Sequence, residues 1–371
     1  MKKYKIGLIG YGGFGMFLHH WWSKLENTEV AAIAYLDHRP ENVGDCRLYD
    51  DWKMLLADDE IDIVSIVTPP ALHAEMACEA MRAGKHVLLE KPVAVTEAEA
   101  QRIIDTQRET QMSITVDHMI RYNPIIQRLA QIGGEETFGK LRHATVNNYA
   151  QDASLPPEHW FWDEKQSGGI LVEHGVHFFD IINALSGQHY KEVCGFSTRR
   201  NAVQRDRMAA SVLYDDGLIA NYYHAFSGPG FFEQTTINLA YDQARIEIEG
   251  WIPLNGKVTA LVTAESKAQL EKLPGWKIEK TEQLAQISDD SRPEGWGNEG
   301  QASAARLTES ANEMVTGTFK IPASKGDVYG ASVQAILSDL IRNIEDNTYK
   351  MKITLDDAVI ALKTALLATG K

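Results

Sequence analysis

Short apolar runs alternate with helical patterns over roughly the first 120 residues. β-rich runs at 4–9, 30–36, 61–67, 86–89 and 113–116 predict strands. The segments 14–25, 71–83 and 96–110 between them carry helical spacing. Thr96, with Glu99 three residues on, makes a capping-box start for the last helix, and Gly84 ends the middle one. Strands alternating with helices at these lengths predict a parallel sheet covered on both faces.

The pattern changes after Tyr122-Asn123-Pro124. A helix is predicted over 125–131, followed by longer strands at 141–149, 190–198, 208–214, 218–226, 234–240 and 244–248. Asp215-Asp216-Gly217 is a hairpin turn signal, so this sheet is expected to be largely antiparallel. One helix, over 169–185, interrupts it. The polar, glycine-bearing stretch 264–300 predicts a long surface excursion. The last helices, at 327–346 and 355–369, are rich in Ala, Leu and Ile. The fold class expected is α/β. It has a Rossmann (doubly wound parallel sheet) domain over 1–122 and a C-terminal α+β domain with a largely antiparallel open sheet over 123–371.

Composition narrows the function. The chain has 371 residues, 44% of them hydrophobic, enough to bury a core without staples. A formal net charge of −14 argues against nucleic-acid binding and against an anionic membrane surface. Three cysteines, Cys46, Cys78 and Cys194, stand far apart, which fits free thiols in the cytoplasm. The glycines of the first apolar run and the lack of a cleavage site oppose a signal peptide, and no run is long enough to span a membrane.

Gly10-Tyr-Gly12-Gly13-Phe14-Gly15 follows the first strand and opens a helix, as a dinucleotide-binding turn requires. Gly10 makes the tight turn, Gly12 admits the pyrophosphate, and Gly15 lets helix approach strand. The phosphates then meet the unpaired N–H groups of the helix start. Asp37, at the end of the second strand, is placed to accept hydrogen bonds from a ribose 2′-hydroxyl, which favours NAD over NADP. Arg39 leaves a 2′-phosphate open if it turns inward. Thr68-Pro69-Pro70 and Glu90-Lys91-Pro92 stand at strand carboxyl ends, where open α/β sheets bind ligands. His73, opening the next helix, is either a wall of the nicotinamide pocket or a plain helix residue.

Glu173, His177 and Asp180 are spaced i, i+4, i+7, one face of a regular helix, and a histidine beside a bound alcohol can take its proton. His174 adds a titratable group. The adjacent pair Glu173–His174 cannot both face one site on a regular helix, which disfavours a metal centre.

With Ala83-Gly-Lys-His-Val-Leu-Leu-Glu-Lys-Pro and the Gly168-Gly169…His177 segment in view, the chain resembles the Gfo/Idh/MocA family, the group of glucose–fructose oxidoreductase and inositol 2-dehydrogenase. The resemblance implies that Lys91 is a catalytic-site residue, in a Lys-Pro peptide that is often cis in the family. It also implies that His177 is the catalytic histidine and Asp180 the acid that follows it. Glu173 stands where the family usually has Asp. Arg121 and Tyr122 fall in the segment that joins the domains and borders the substrate pocket. The Trp160-Phe-Trp162-Asp163 segment also resembles the family pattern, and a tryptophan there either stacks on a sugar ring or packs.

The resemblance therefore implies an NAD-dependent dehydrogenase of a sugar, sugar derivative or cyclitol. The catalytic residues expected are Lys91, His177 and Glu173, with Trp162, His174, Asp180, Arg121 and Tyr122 toward the substrate. A homodimer or homotetramer formed through the C-terminal sheet is expected with it. Two alternatives stay open at this point, an NAD-dependent redox glycosidase and a non-catalytic sensor of the dinucleotide or a sugar.

Overall fold

The computed structural model describes residues 2–36, 38–284 and 311–370. Strands β1 (Tyr4–Ile9), β2 (Thr28–Ala34), β3 (Arg47–Tyr49), β4 (Ile63–Ile66), β5 (His86–Leu89) and β6 (Ile114–Val116) form a six-stranded sheet in the order β3-β2-β1-β4-β5-β6. Every pairing in it is parallel. Strands such as β4 are buried on both faces, as near-continuous Ile/Val runs demand. The winding reverses direction between β1 and β4, and this opens a crevice at the strands' carboxyl ends.

Helices Gly13–Trp22, His73–Arg82 and Glu97–Thr110 connect these strands. The Thr96 side chain accepts from Glu99 N–H, so the predicted cap forms. The helix ends at Gln111 in the left-handed region (φ 57°).

The second sheet has nine strands, β7 (Leu141–Gln151), β8 (Tyr190–Thr198), β9 (Arg207–Tyr214), β10 (Ile219–Gly228), β11 (Gln234–Tyr241), β12 (Ala244–Glu249), β13 (Asn255–Val262), β14 (Lys277–Gln283) and β15 (Glu313–Lys320). Their order is β14-β15-β13-β12-β11-β7-β10-β9-β8. All neighbours pair antiparallel except β7 with β10. The strands alternate buried and open positions, so one face packs on helices and the other is free.

The surface excursion expected over 264–300 is corrected by this sheet. Residues 264–284 hold a helix, Ala264–Leu270, with a Thr263–Ser266 capping box, and the edge strand β14. The polar character of β14 is that of an exposed edge rather than a loop. The rest of that stretch lies outside the described residues.

The final helices return to the first sheet. Gly330 in helix Lys325–Glu345 sits where a Cβ would come within 2.0 Å of the Trp21 ring, and Trp22 Nε1 donates to Val333 O at 2.9 Å. Thr115 Oγ1 donates to Ile353 O at 3.1 Å. This return brings Tyr329 to the crevice. Among the described residues no helix is long and apolar enough to cross a membrane.

Candidate active site

A cleft of about 680 Å³ runs from the glycine turn to the segment that carries Glu173, His174 and His177. Gly10, Gly12, Gly13, Phe14 and Gly15 line one end, Thr68, Pro69, Glu90 and Lys91 the middle, and Glu173, His174 and His177 the far wall.

The glycine turn fits a dinucleotide. Gly10 has φ +95°, and a Cβ there would meet Val67 O at 2.3 Å. A Cβ on Gly15 would meet Gly10 O at 2.5 Å, so only glycine lets helix and turn approach this closely. Gly12 and Gly13 face open space instead, on the cleft side. The helix starts at Gly13 with no side chain capping it, which leaves its first N–H groups for an anion.

Tyr35, Leu36 and His38 line the cleft where a ribose would follow. Asp37, the expected 2′-hydroxyl partner, lies outside the described residues. Arg39 is exposed and does not line the cleft.

Lys91 follows β5 by two residues and forms a cis peptide with Pro92. Its Nζ donates to Glu173 Oε1 at 2.5 Å and to the Glu173 carbonyl at 2.8 Å. Burial opposes the ammonium charge, but Glu173 and Glu90 outweigh it, and the Lys91 pKa is raised. Lys91 is therefore a fixed cation pointing into the cleft wall.

His73 does not line the cleft. It is fully buried, with Nδ1 2.7 Å from Pro92 O and Nε2 2.9 Å from Thr68 O. Burial pushes its pKa down to about 4, and the neutral ring donates to one carbonyl at a time. It ties the Thr68 turn to the Lys91–Pro92 turn.

Residues Leu171–Gly175 form a π turn ahead of helix Val176–Ser186. This corrects the expectation that Glu173 and His174 cannot share a site. The wider turn shifts the helical phase, so both line the cleft together with His177. It also separates Asp180 from them.

Asp180 is buried and accepts a two-pronged ion pair from Arg121, at 2.7 Å from Nε and 2.6 Å from Nη2. Arg121 also meets Asp357 at 3.3 Å and Lys352 O at 3.2 Å. Tyr122 donates to Asp339 at 2.6 Å. These three groups tie the second sheet's helix to the final helices and do not line the cleft.

Trp162 is likewise turned away, donating to Leu155 O at 2.9 Å. Trp160 lines the cleft in its place, because the 3₁₀ turn Trp160–Trp162 sends the two rings to different sides.

His177 is buried, with Nδ1 unpartnered. Burial, then Lys91, hold its pKa well below the usual histidine value. His174 is pushed to about 3 by the same two causes. Both rings are neutral near pH 7 and able to accept a proton. His177 stands in a row of edge-to-face imidazoles, 5.9 Å from His118 and 6.0 Å from His174, with His224 5.7 Å beyond His174.

Sequence reading missed His118, Trp251 and Tyr329, and also Asp117. Asp117 and His118 follow β6, and the strand-end rule applied to β4 and β5 would have found them. Trp251 and Tyr329 come from distant turns and helices and carry no local signal.

Residues 4–118 match the family model for the oxidoreductase family, NAD-binding Rossmann fold, and residues 126–250 match the GFO/IDH/MocA C-terminal domain. The chain belongs to the Gfo/Idh/MocA oxidoreductase family. This member is 24% identical over 321 residues to a 1-carboxy-3-chloro-3,4-dihydroxycyclohexa-1,5-diene dehydrogenase of Comamonas testosteroni, covering 84% of this chain and 76% of that one. It is 29% identical over 229 residues to the UDP-N-acetylglucosamine 3-dehydrogenase of Acidithiobacillus ferrooxidans, covering 60% and 66%. It is 29% identical over 201 residues to a glycosyl hydrolase family 109 protein of a Shewanella species, but spans only 43% of that protein's length.

Among solved structures, myo-inositol 2-dehydrogenase from Lactobacillus plantarum superposes with a TM-score of 0.72 at 18% identity, covering 100% of this chain and 97% of that one. Biliverdin reductase from Synechocystis, in complex with biliverdin and NADP⁺, gives 0.70 at 17%, covering 99% and 98%. These two likenesses establish the shared fold.

Proposed function

We propose that this Gfo/Idh/MocA protein is an NAD(P)-dependent dehydrogenase, preferring NAD, that oxidises a secondary hydroxyl of a cyclitol, sugar or sugar derivative. The observation that carries this reading is one continuous cleft joining the dinucleotide-fitting glycine turn to Lys91 and the neutral His177. The dehydrogenase relatives named for a cyclic diol and a nucleotide sugar support the substrate class.

Bound nicotinamide would supply the hydride acceptor. Lys91, fixed by Glu173, donates to the substrate oxygen and stabilises charge developing on it. His177, uncharged near pH 7, takes the hydroxyl proton. Trp160 and Trp251 offer flat apolar walls to a ring. Glu173 acts through Lys91 rather than on the substrate, because its Oε1 is already engaged. The free sheet face, with Phe196, Ile219 and Tyr149 exposed, is the surface we assign to pairing with a second copy.

The test is appearance of reduced nicotinamide when the protein meets NAD⁺ or NADP⁺ with inositols, aldoses, sugar acids and nucleotide sugars. Turnover on a member of this panel, faster with NAD⁺, is the expected result. Dinucleotide binding without turnover on any member overturns the dehydrogenase reading. Likeness to a glycosyl hydrolase family 109 protein favours a second reading, a glycosidase that oxidises its sugar transiently. Cleavage of a chromogenic glycoside without net reduced nicotinamide would establish it.

A further inference from the structure

Glu90 has a second neighbour besides Lys91. Strands β5 and β6 lie side by side, with Asp117 N–H donating to Leu89 O at 2.8 Å, so Glu90 and Asp117 leave the sheet together. They directly follow the Leu89–Val116 pair of this parallel register, so they stand side by side on neighbouring strand ends. Asp117 is 0% exposed, and no N–H or O–H group of the described residues donates to either of its oxygens. Glu90 reaches the cleft wall.

A buried carboxylate with no donor is costly, and two ionised carboxylates in contact are costlier. One proton held between them removes both penalties, since the protonated oxygen donates and the other carboxylate accepts. Burial drives both groups upward, Asp117 to about 6 and Glu90 well above the usual carboxylate range, so the pair holds a proton near neutrality. The nearby cation is Lys91, already paired with Glu173. The Tyr329 hydroxyl is kept neutral by burial, as are the His73 and His118 rings around Lys91.

We propose that Glu90 and Asp117 are a one-proton carboxyl pair that responds to the charge of the bound dinucleotide. It keeps its proton beside the neutral reduced nicotinamide and releases it beside the cationic oxidised one. This inference rests on the dehydrogenase reading, which puts the nicotinamide at the Lys91 end of the cleft. A cationic ring there favours a fully ionised pair, for the reason that a neighbouring cation lowers any carboxyl's midpoint.

The test needs no substrate. Calorimetric titration of the full chain with NAD⁺ and with NADH, in two buffers of different ionisation enthalpy, counts the protons released on binding. NAD⁺ is expected to release up to about one proton more than NADH. Its Kd is then expected to fall by up to about tenfold for each unit that pH rises around neutrality, while that of NADH stays level. In Glu90→Gln the amide still donates to Asp117, but the extra proton and the pH dependence should both vanish. Asp117→Asn, a second route to the same loss, guards against misfolding of the first variant, with circular dichroism as the check. Equal proton release by both dinucleotides in the wild type overturns the pair. So does an excess that survives in Glu90→Gln. Failure of both dinucleotides to bind overturns the dehydrogenase reading and this inference with it, which keeps the two failures apart.

Discussion

Lys91 Nζ sits 2.5 Å from Glu173 Oε1 and 2.8 Å from the Glu173 carbonyl oxygen, so one residue holds the ammonium by both side chain and backbone. The two residues are 82 positions apart and come from different sheets' connections. The π turn that carries Glu173 is what brings both acceptors to bear.

Replacing Glu173 by Gln keeps a hydrogen-bond acceptor and removes the charge that raises Lys91. A raised lysine stays charged to higher pH, so removing the cause brings its loss of charge to lower pH. The alkaline limb of the kcat profile should therefore shift downward in Glu173→Gln. An unmoved alkaline limb, measured over the same range, would separate Lys91 from the reaction.

The two kinds of glycine in the turn should fail differently. Gly12 faces open space, so Gly12→Val should fold normally yet lose at least about tenfold in NADH affinity as the side chain occupies the phosphate cradle. Gly10 has φ +95° and backbone 2.3 Å from its missing Cβ, so Gly10→Ala should cost about 1–3 kcal/mol of stability. Fluorescence titration and urea unfolding of both variants check this contrast.

Arg121 and Asp180 should behave as structure rather than as substrate contacts. Arg121→Met leaves Asp180, 1% exposed, without its cation, at a cost of about 3–5 kcal/mol. A lower melting temperature with no change in KM is expected. A large rise in KM at unchanged stability would return Arg121 to the substrate.

Acid should destabilise the fold before it reaches ordinary carboxylates. His73, with a folded midpoint near 4 against 6.5 unfolded, contributes stability that is complete above 6.5 and lost as pH falls toward 4. His118, His174, His177 and His224 are lowered in the same direction. Glu90 and Asp117 act in the opposite sense and are outnumbered. The urea midpoint should decline from pH 6.5 to 5 with net proton uptake on unfolding. A level midpoint over that window would contradict the neutral buried imidazoles.

The Rossmann half was legible because its signals are local. Glycine turn, strand, cap and Glu-Lys-Pro each sit within a few residues of what they build. That Glu173 and His177 share one wall of the cleft was legible in their i, i+4 spacing. Trp160 was confused with Trp162 because the choice depends on the pitch of a short 3₁₀ turn, which residue types do not specify. Asp180 read as a site residue because polar groups on an apolar helix signal either a pocket or a buried ion pair, and the partner that decides, Arg121, expected at the pocket only from the family resemblance, lies 59 positions away. Strand β14 was lost because an edge strand is polar, and the interior strands β13 and β15 because their pairing is non-local.

Single-turnover formation of reduced nicotinamide by the wild type, Lys91→Met and His177→Gln, on a compound that the wild type oxidises, decides whether these two residues carry the chemistry. A rate loss of about 10²-fold or more is expected in each variant, with NADH affinity within a few-fold of wild type. Wild-type rates in both variants would contradict it and place the chemistry elsewhere in the cleft.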